Sequence, residues 1–321
     1  MTAYIVRRLL LIIPALFVVT LIVFLLVRLL PGDVIELMVS SQEFGSKDAL
    51  PLTIDSLKHQ LGLDVPVYVQ YGRWLTNIAL HGSLGKSLWM GTPVADDIAA
   101  GLPITFELGL LAILTSLLIA VPIGVYSAIR QDTLGDYLGR SFAIFCIAVP
   151  SFWLGTMVIV FPSIWWHWTP PLQYVAFGDN PLKNLANFII PGVILGMVIS
   201  GTTMRMTRTM MLEVLRQDYI RTAWAKGLAE RTIVIRHAAK NALIPIITVV
   251  GLQLPLLVGG SVIIEQIFNL PGIGRLLLQA IQSRDYTLVS GINLVIASFV
   301  LLANFMVDLT YGFLDPRIKT R

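Results

Sequence analysis

The sequence predicts an all-α polytopic membrane protein of six transmembrane helices, with both termini cytosolic and a small extracytoplasmic domain between spans one and two. Three observations predict it. Of 321 residues, 56% are hydrophobic and only 13% charged, about half the charged share of a soluble globule. Six runs stay apolar over the roughly 20 residues that a helix needs to cross a bilayer. The basic residues, finally, are shared unequally between alternating connections, as membrane topology requires. A net charge of +4 gives no argument for a nucleic-acid partner, because in such a chain basic residues first report orientation.

The six runs are about Leu9–Val27, Leu102–Ala128, Ser141–Trp166, Phe188–Met204, Leu243–Phe268 and Leu288–Leu314. The first follows Arg7 and Arg8. It is too long for a signal-peptide core, and Val27-Arg28-Leu29-Leu30-Pro31 has no small-residue cleavage site, so residues 1–30 read as a retained anchor span. Residues 31–101 form the extracytoplasmic loop domain. There Ile54, Leu57 and Leu61 recur at helical spacing and close on Gly62, and "VYVQYGRWLTNIAL" predicts a second short helix. Residues 102–321 are a five-span core. With the N-terminus inside, the inner connections hold Arg130, Arg140 and a dense basic series from Arg205 to Lys240, whereas the short outer ones hold only Lys183, Arg275 and Arg284.

"HGSLGKS", His81–Ser87, spells the end of a phosphate-binding loop. The glycine that such a loop needs five positions before Gly85 is Leu80, and no strand leads in. Placed on the outer side, the stretch is read as a loop that binds no nucleotide. "PGIGR", Pro271–Arg275, has the wrong glycine pattern for a dinucleotide and is read as an outer turn. Cys146 lies in an apolar run and is read as a packed core residue. Trp165, Trp166 and Trp168 read as an interfacial belt.

What is missing also matters. The middle thirds of the six runs carry no ionisable side chain, although a proton- or ion-driven carrier generally needs one there, at a cost of at least ~2.5 kcal/mol. Glu107, Glu265 and Asp308 lie nearer the ends, where they read as snorkelling or end-capping groups; a role for them in a pathway stays open. His59, His81, His167 and His237 are scattered without metal spacing, Cys146 has no histidine near it in sequence, and no Gly-x-Ser-x-Gly occurs. A self-sufficient channel or carrier and an intramembrane enzyme are therefore the weaker readings, and energy for transport is expected from another subunit. The prolines within the runs (Pro14, Pro122, Pro150, Pro191, Pro245 and Pro255) predict kinks, tolerated where neighbours re-satisfy the freed backbone groups.

The longest inner connection, about residues 205–242, carries the strongest signal. Met211, Leu212, Leu215, Tyr219 and Ile220 recur at helical spacing, and Ala223, Ala225 and Gly227 follow as small residues. Ala223 and Gly227, four apart, are expected on one helical face, one that lets another protein approach closely; a helix made for lipid headgroups would carry Leu, Phe or Trp there. Lys226, Glu230 and Arg231 flank it with charge.

"DYIRTAWAKGLAERTIVIRHAAKNALIP", Asp218–Pro245, resembles the cytoplasmic loop of ATP-binding-cassette (ABC) importer permeases, in its dipeptide/oligopeptide/nickel form. The match falls on Tyr219, Arg221, Thr222, Ala223, Ala225, Lys226 and Gly227; Arg221 stands where the general motif has Glu. "RRLLLIIPALFVVTLIVFLLVRLLPGD", the outer-loop segment including Gly82–Ser87, "VPSFWLG", "PGIGRLLLQAIQSRDY" and "NFMVDLTYGFLDPRI" are similar to the same branch. The resemblance implies a permease in a bacterial plasma (inner) membrane. Two permeases would form the pathway, two cytosolic ATPases would dock on Asp218–Glu230, and an extracytoplasmic solute-binding protein would deliver di- or oligopeptides, or alternatively nickel chelates, glutathione or another small solute. It implies no cofactor on this chain, ATP and Mg²⁺ being used by the partner ATPases.

Overall fold

The computed structural model describes residues 2–28, 59 and 64–314. The predicted helix around Ile54–Gly62 lies outside them. Apart from one isolated bridge, Lys86 to Pro93, the regular elements among the described residues are helical. They are α1 (Thr2–Arg28), α2 (Val67–His81), α3 (Val94–Ile129), α4 (Leu134–Ala148), α5 (Ser151–Trp166), α6 (Pro181–Leu215), α7 (Asp218–Ala225) and α8 (Glu230–Thr232). A π-helical segment, Ile233–Ala239, leads into α9 (Lys240–Ile267), followed by α10 (Ile273–Gln282) and α11 (Tyr286–Leu314). Three helices (α3, α6 and Tyr286–Val307 of α11) are long and apolar enough to cross a membrane, or up to five if each of two bent pairs is one span; the apolar stretch of α1, Leu10–Leu25, is shorter.

The third apolar run is not one straight helix, as its composition suggests. It breaks between α4 and α5 with a bend of 93°. The cause is Pro150. A proline disfavours the helical region for the residue before it, and Val149 is extended at φ −85°, ψ 121°. A second bend, of 45°, occurs at Pro245.

One compact unit comprises Ile104–Pro271 and the chain from Leu302. α6 is its most buried helix. Asn180 caps the start by accepting from the Lys183 N–H, and Pro181 supplies a first helical residue with preset φ. Gly192-x-x-x-Gly196 then removes side-chain bulk along one face, the pattern by which membrane helices approach backbone to backbone. A Cβ on Gly196 would lie 2.7 Å from the Ala112 carbonyl oxygen of α3, and one on Gly201 2.7 Å from the Ala143 oxygen of α4. Around these crossings Leu108, Phe188, Ile194, Leu195, Ile199, Ile264 and Phe268 form the core. Cys146 is buried, as its apolar run suggests.

The other unit comprises Thr2–Pro103 and Gly272–Leu301. Phe24 of α1 packs on Tyr71 and Trp74 of α2, with ring centroids 5.2 and 5.8 Å apart. The "HGSLGKS" loop is fastened here through its serine. Ser87 donates its hydroxyl to Asp285 Oδ2 at 2.6 Å, and the same oxygen accepts the Leu88 N–H at 2.9 Å. Asp285 Oδ1 accepts the Leu288 N–H at 3.0 Å, which makes Asp285 the N-cap of α11. The Trp89 indole donates to the Ser283 carbonyl at 2.7 Å. Ser87 is thus a structural anchor. "PGIGR" is not a free turn: Gly272 ends the loop and Ile273–Arg275 begin α10, whose backbone a Cβ on Gly101 would approach to 3.1 Å.

Two outcomes are expected. Gly196→Val forces α6 off α3 and lowers the thermal unfolding midpoint in detergent, at the ~1–3 kcal/mol typical of overpacking, whereas Gly178→Ala, with nothing within 4 Å, leaves it unchanged. Asp285→Ala strands the Ser87, Leu88 and Leu288 donors, so it destabilises more than Ser87→Ala, which removes the buried bond to Asp285 and the part-buried one from the Met90 N–H and is expected to cost ~1–3 kcal/mol.

Candidate functional site

The chain between α6 and α9 builds a small platform. α6 continues past its apolar run to Leu215, so that Thr207 and Met211 are fully buried in its last turns. The helix then breaks: Gln217 is extended at φ −72°, ψ 148°, and α7 restarts at Asp218, an acidic residue suited to a helix N-terminus. α7 is amphipathic. Ile220 and Ala223 turn inward and join Met211, Ile233, Val234, Ala238 and Ala242 in one cluster. Asp218, Tyr219, Arg221, Thr222, Trp224, Ala225 and Lys226 remain exposed.

Two details differ from the expectation. Ala223 and Gly227 do not share an outward helical face, because α7 ends at Ala225 and Ala223 is buried against its own chain. Gly227 is instead the helix stop. Its φ is +75°, a left-handed conformation that costs a side-chain-bearing residue about 1–2 kcal/mol. Its N–H donates to the Trp224 carbonyl at 2.9 Å, and the Leu228 N–H to the Ala223 carbonyl at 3.4 Å. These two bonds are the Schellman pattern. The signal was in the sequence: Lys226-Gly227 after an amphipathic turn is a C-terminal stop, and the small-residue pattern obscured it.

Two side-chain ties join the platform to neighbouring helices. Tyr219 accepts from the Asn241 amide at 2.8 Å, joining α7 to α9. Glu230 faces Arg130, at the end of α3, at 3.3 Å; both are substantially exposed, so the pair guides position more than it stabilises. Arg221 and Asp218 pair at 3.5 Å within α7 itself, in open solvent, and fasten it to nothing else. Glu230 is followed by the π-helical segment, a wide-turned form found as an insertion within helices and often at functional sites.

The strongest tie lies just beside the platform. Asp136, at the start of α4, has a fully buried side chain that takes Arg208 of α6 in a two-point clasp, Nε to Oδ1 and Nη2 to Oδ2, each 2.8 Å. The Ser127 hydroxyl of α3 donates to Oδ1, and the Asp132 N–H to Oδ2 at 3.1 Å. Removing a carboxylate from water costs several kcal/mol and is offset only by such complete pairing. One carboxylate thereby joins three helices beside the platform. No spacing in the sequence relates Asp136 to Arg208, which lie 72 positions apart.

The remaining acidic residues separate. Glu265 is fully buried, with the Thr105 hydroxyl on its Oε1 at 2.7 Å, so it does not snorkel as its place near a span end suggests. Glu107 is half-buried and accepts from the Asn184 amide at 3.4 Å. The side chain of Asp308 lies outside the described ones.

The comparisons with known proteins agree along the whole chain. The family described as binding-protein-dependent transport system inner membrane component matches residues 120–320, and its N-terminal companion matches residues 1–109. A Brucella abortus (strain 2308) protein assigned as a peptide transport system permease is 42% identical over 319 residues, 99% of each chain. The dipeptide transport system permease proteins DppB of Escherichia coli K12 and of Alkalihalophilus pseudofirmus are 36% and 38% identical, covering 99% of this chain and 99% and 100% of theirs. Among solved structures, an amino acid ABC transporter crystallised with histidines superposes with a TM-score of 0.53 at 12% identity, over 68% of this chain and 95% of that one, a likeness of fold alone. With two family matches that together cover nearly every residue, this chain belongs to the binding-protein-dependent transport system inner membrane components.

Proposed function

We propose that this chain is the permease subunit of an ATP-driven importer of di- and oligopeptides. It forms the pathway with a second, homologous permease; two cytosolic ABC ATPases dock on the platform around α7; and an extracytoplasmic binding protein delivers the peptide. ATP and Mg²⁺ are used by the ATPases, not by this chain. On this reading residues 1–30 are an anchor span, residues 31–101 lie outside, and residues 102–321 are the five-span core, with both termini in the cytosol of a bacterial inner-membrane protein.

The observation that carries the reading most is identity of 36–42% over the full length to peptide and dipeptide permeases. The platform supports it independently. α7 is a rigidly backed helix with Tyr219 and Trp224 exposed at 43% and 47%, and aromatic side chains of that kind anchor protein interfaces. The docking assignment falls on the exposed residues Asp218, Tyr219, Arg221, Thr222, Trp224, Ala225 and Lys226. Ala223, Gly227 and Glu230 act by holding α7 in place. ATPase-driven motion of α7 would pass through Tyr219–Asn241 to α9 and through Met211 to α6.

The first test is purification of the tagged chain from native membranes in mild detergent, with mass spectrometry of its companions. A second permease and one or two cassette ATPases are expected; a chain isolated alone that transports solute alone overturns the reading. Trp224→Ala is expected to reduce transport-stimulated ATP hydrolysis by about tenfold or more, as for an interface anchor worth over 1.4 kcal/mol, with the chain's own unfolding midpoint unchanged. In a Cys146→Ser background, a single cysteine at Arg221 should be labelled by a membrane-impermeant reagent only from the cytosolic side. Asp136→Asn loosens the Arg208 clasp and should weaken stimulation together with stability, a pairing of effects that Trp224→Ala does not show.

A further inference from the structure

One hollow of ≈ 560 Å³ has no part in docking. It lies between the first turns of α6 and the adjoining stretch of α3, lined by Phe106, Leu110, Phe177, Leu182 and Leu185, with Glu107 and Asn184 as its polar groups. Asn184 is itself buried and is held by the Val175 carbonyl at 3.0 Å, so its amide is fixed. Glu107 is a different matter. Its partner among the described residues is that amide alone, at 3.4 Å, and none of their cations pairs with it. A carboxylate set in apolar walls is costly unless paired, and most of its acceptor capacity is unused.

The walls indicate what would pair with it. Leu110, Leu114 and Leu118 recur every four residues on α3, hence on one face, and all three are exposed. Ile189 and Val193 repeat the same spacing on α6 beyond Leu185, also exposed. The hollow therefore continues into apolar tracks about 12 Å long on α3, at 1.5 Å per residue. Glu107 stands five residues into the apolar run that begins at Leu102, roughly 7.5 Å from its end, near headgroup depth. A negative group at that depth, above a greasy track, suits a lipid that carries hydrogen-bond donors and positive charge at its head.

We propose that this hollow binds a phospholipid with a primary-ammonium headgroup, the ammonium donating to Glu107 and an acyl chain lying along Leu110, Leu114 and Leu118. A quaternary ammonium has no N–H to donate, and an anionic headgroup meets repulsion from the carboxylate. The site needs a bilayer around the chain and a hollow that no partner subunit fills, and it does not depend on which solute is carried.

The test uses the full chain, purified in mild detergent and equilibrated with equal amounts of phosphatidylethanolamine, phosphatidylcholine and phosphatidylglycerol. Retained lipid is then counted by native mass spectrometry. The wild-type chain should retain phosphatidylethanolamine over phosphatidylcholine by roughly tenfold, the scale of one charge-assisted hydrogen bond. Glu107→Gln should abolish the preference, while Asp96→Asn, an exposed acidic residue elsewhere on α3, keeps it. Leu182→Lys, at a highly exposed position, supplies a competing cation without removing the carboxylate and should abolish it too. Equal retention of the two lipids by the wild-type chain, or a preference that survives both substitutions, overturns the proposal. So does occupation of the hollow by a partner's basic side chain in the isolated complex.

Discussion

The close approach of α6 to its neighbours is the constraint on which the larger unit depends. In lipid, apolar side chains gain nothing by leaving one apolar surroundings for another, so helices associate through packing contacts and polar pairing. Gly196 and Gly201 bring the α6 backbone against carbonyls of α3 and α4, a distance that no other residue type permits. The clasp of Arg208 on Asp136 lies further along the same helix and closes the same three elements. Where the backbone contact ends, the ion pair begins.

From that follows the position of α7. The last turns of α6 keep the direction set by the glycine crossings, and Met211 is their buried end. α7 packs on it through Ile220 and Ala223 and is stopped by Gly227. An eight-residue helix is too short to be stable by itself; its stability is borrowed from the α6 and π-segment surfaces beneath it. A load applied to α7 is therefore a load on the core.

Much of this was legible in sequence. Apolar run length located α3, α6 and α11 because the bilayer sets that length, and the stretch "VYVQYGRWLTNIAL", read as a short helix, is α2. The break at Pro150 was written in the sequence as a proline but not as an angle, since a proline in a membrane helix gives anything from a slight kink to a full stop, according to what re-satisfies its neighbours. The outward helical face assigned to Ala223 and Gly227 failed for a related reason. Periodicity holds only while the helix does, and Gly227 ends it. Burial of Ala223 rather than exposure depended on Ile233 and Ala238, which approach it only in three dimensions. The Asp136–Arg208 clasp and the Ser87–Asp285 bond have no local signature at all: each joins residues far apart in sequence, and each acid there resembles any other.

Asp285 serves two customers with one carboxylate. Oδ1 caps α11 through Leu288, and Oδ2 holds Ser87 and Leu88 of the loop between α2 and α3. A buried acid left without donors is expensive, so releasing the loop exposes the cap to the same cost. The loop and the first turn of α11 thus share one fate: a ligand that pries residues 87–88 from Asp285 also unsettles the start of a membrane-length helix, and one that tightens them makes that start firmer. A carboxylate 2.6 Å from a serine hydroxyl converts a shift of that loop into a change at a helix terminus without any long lever between them.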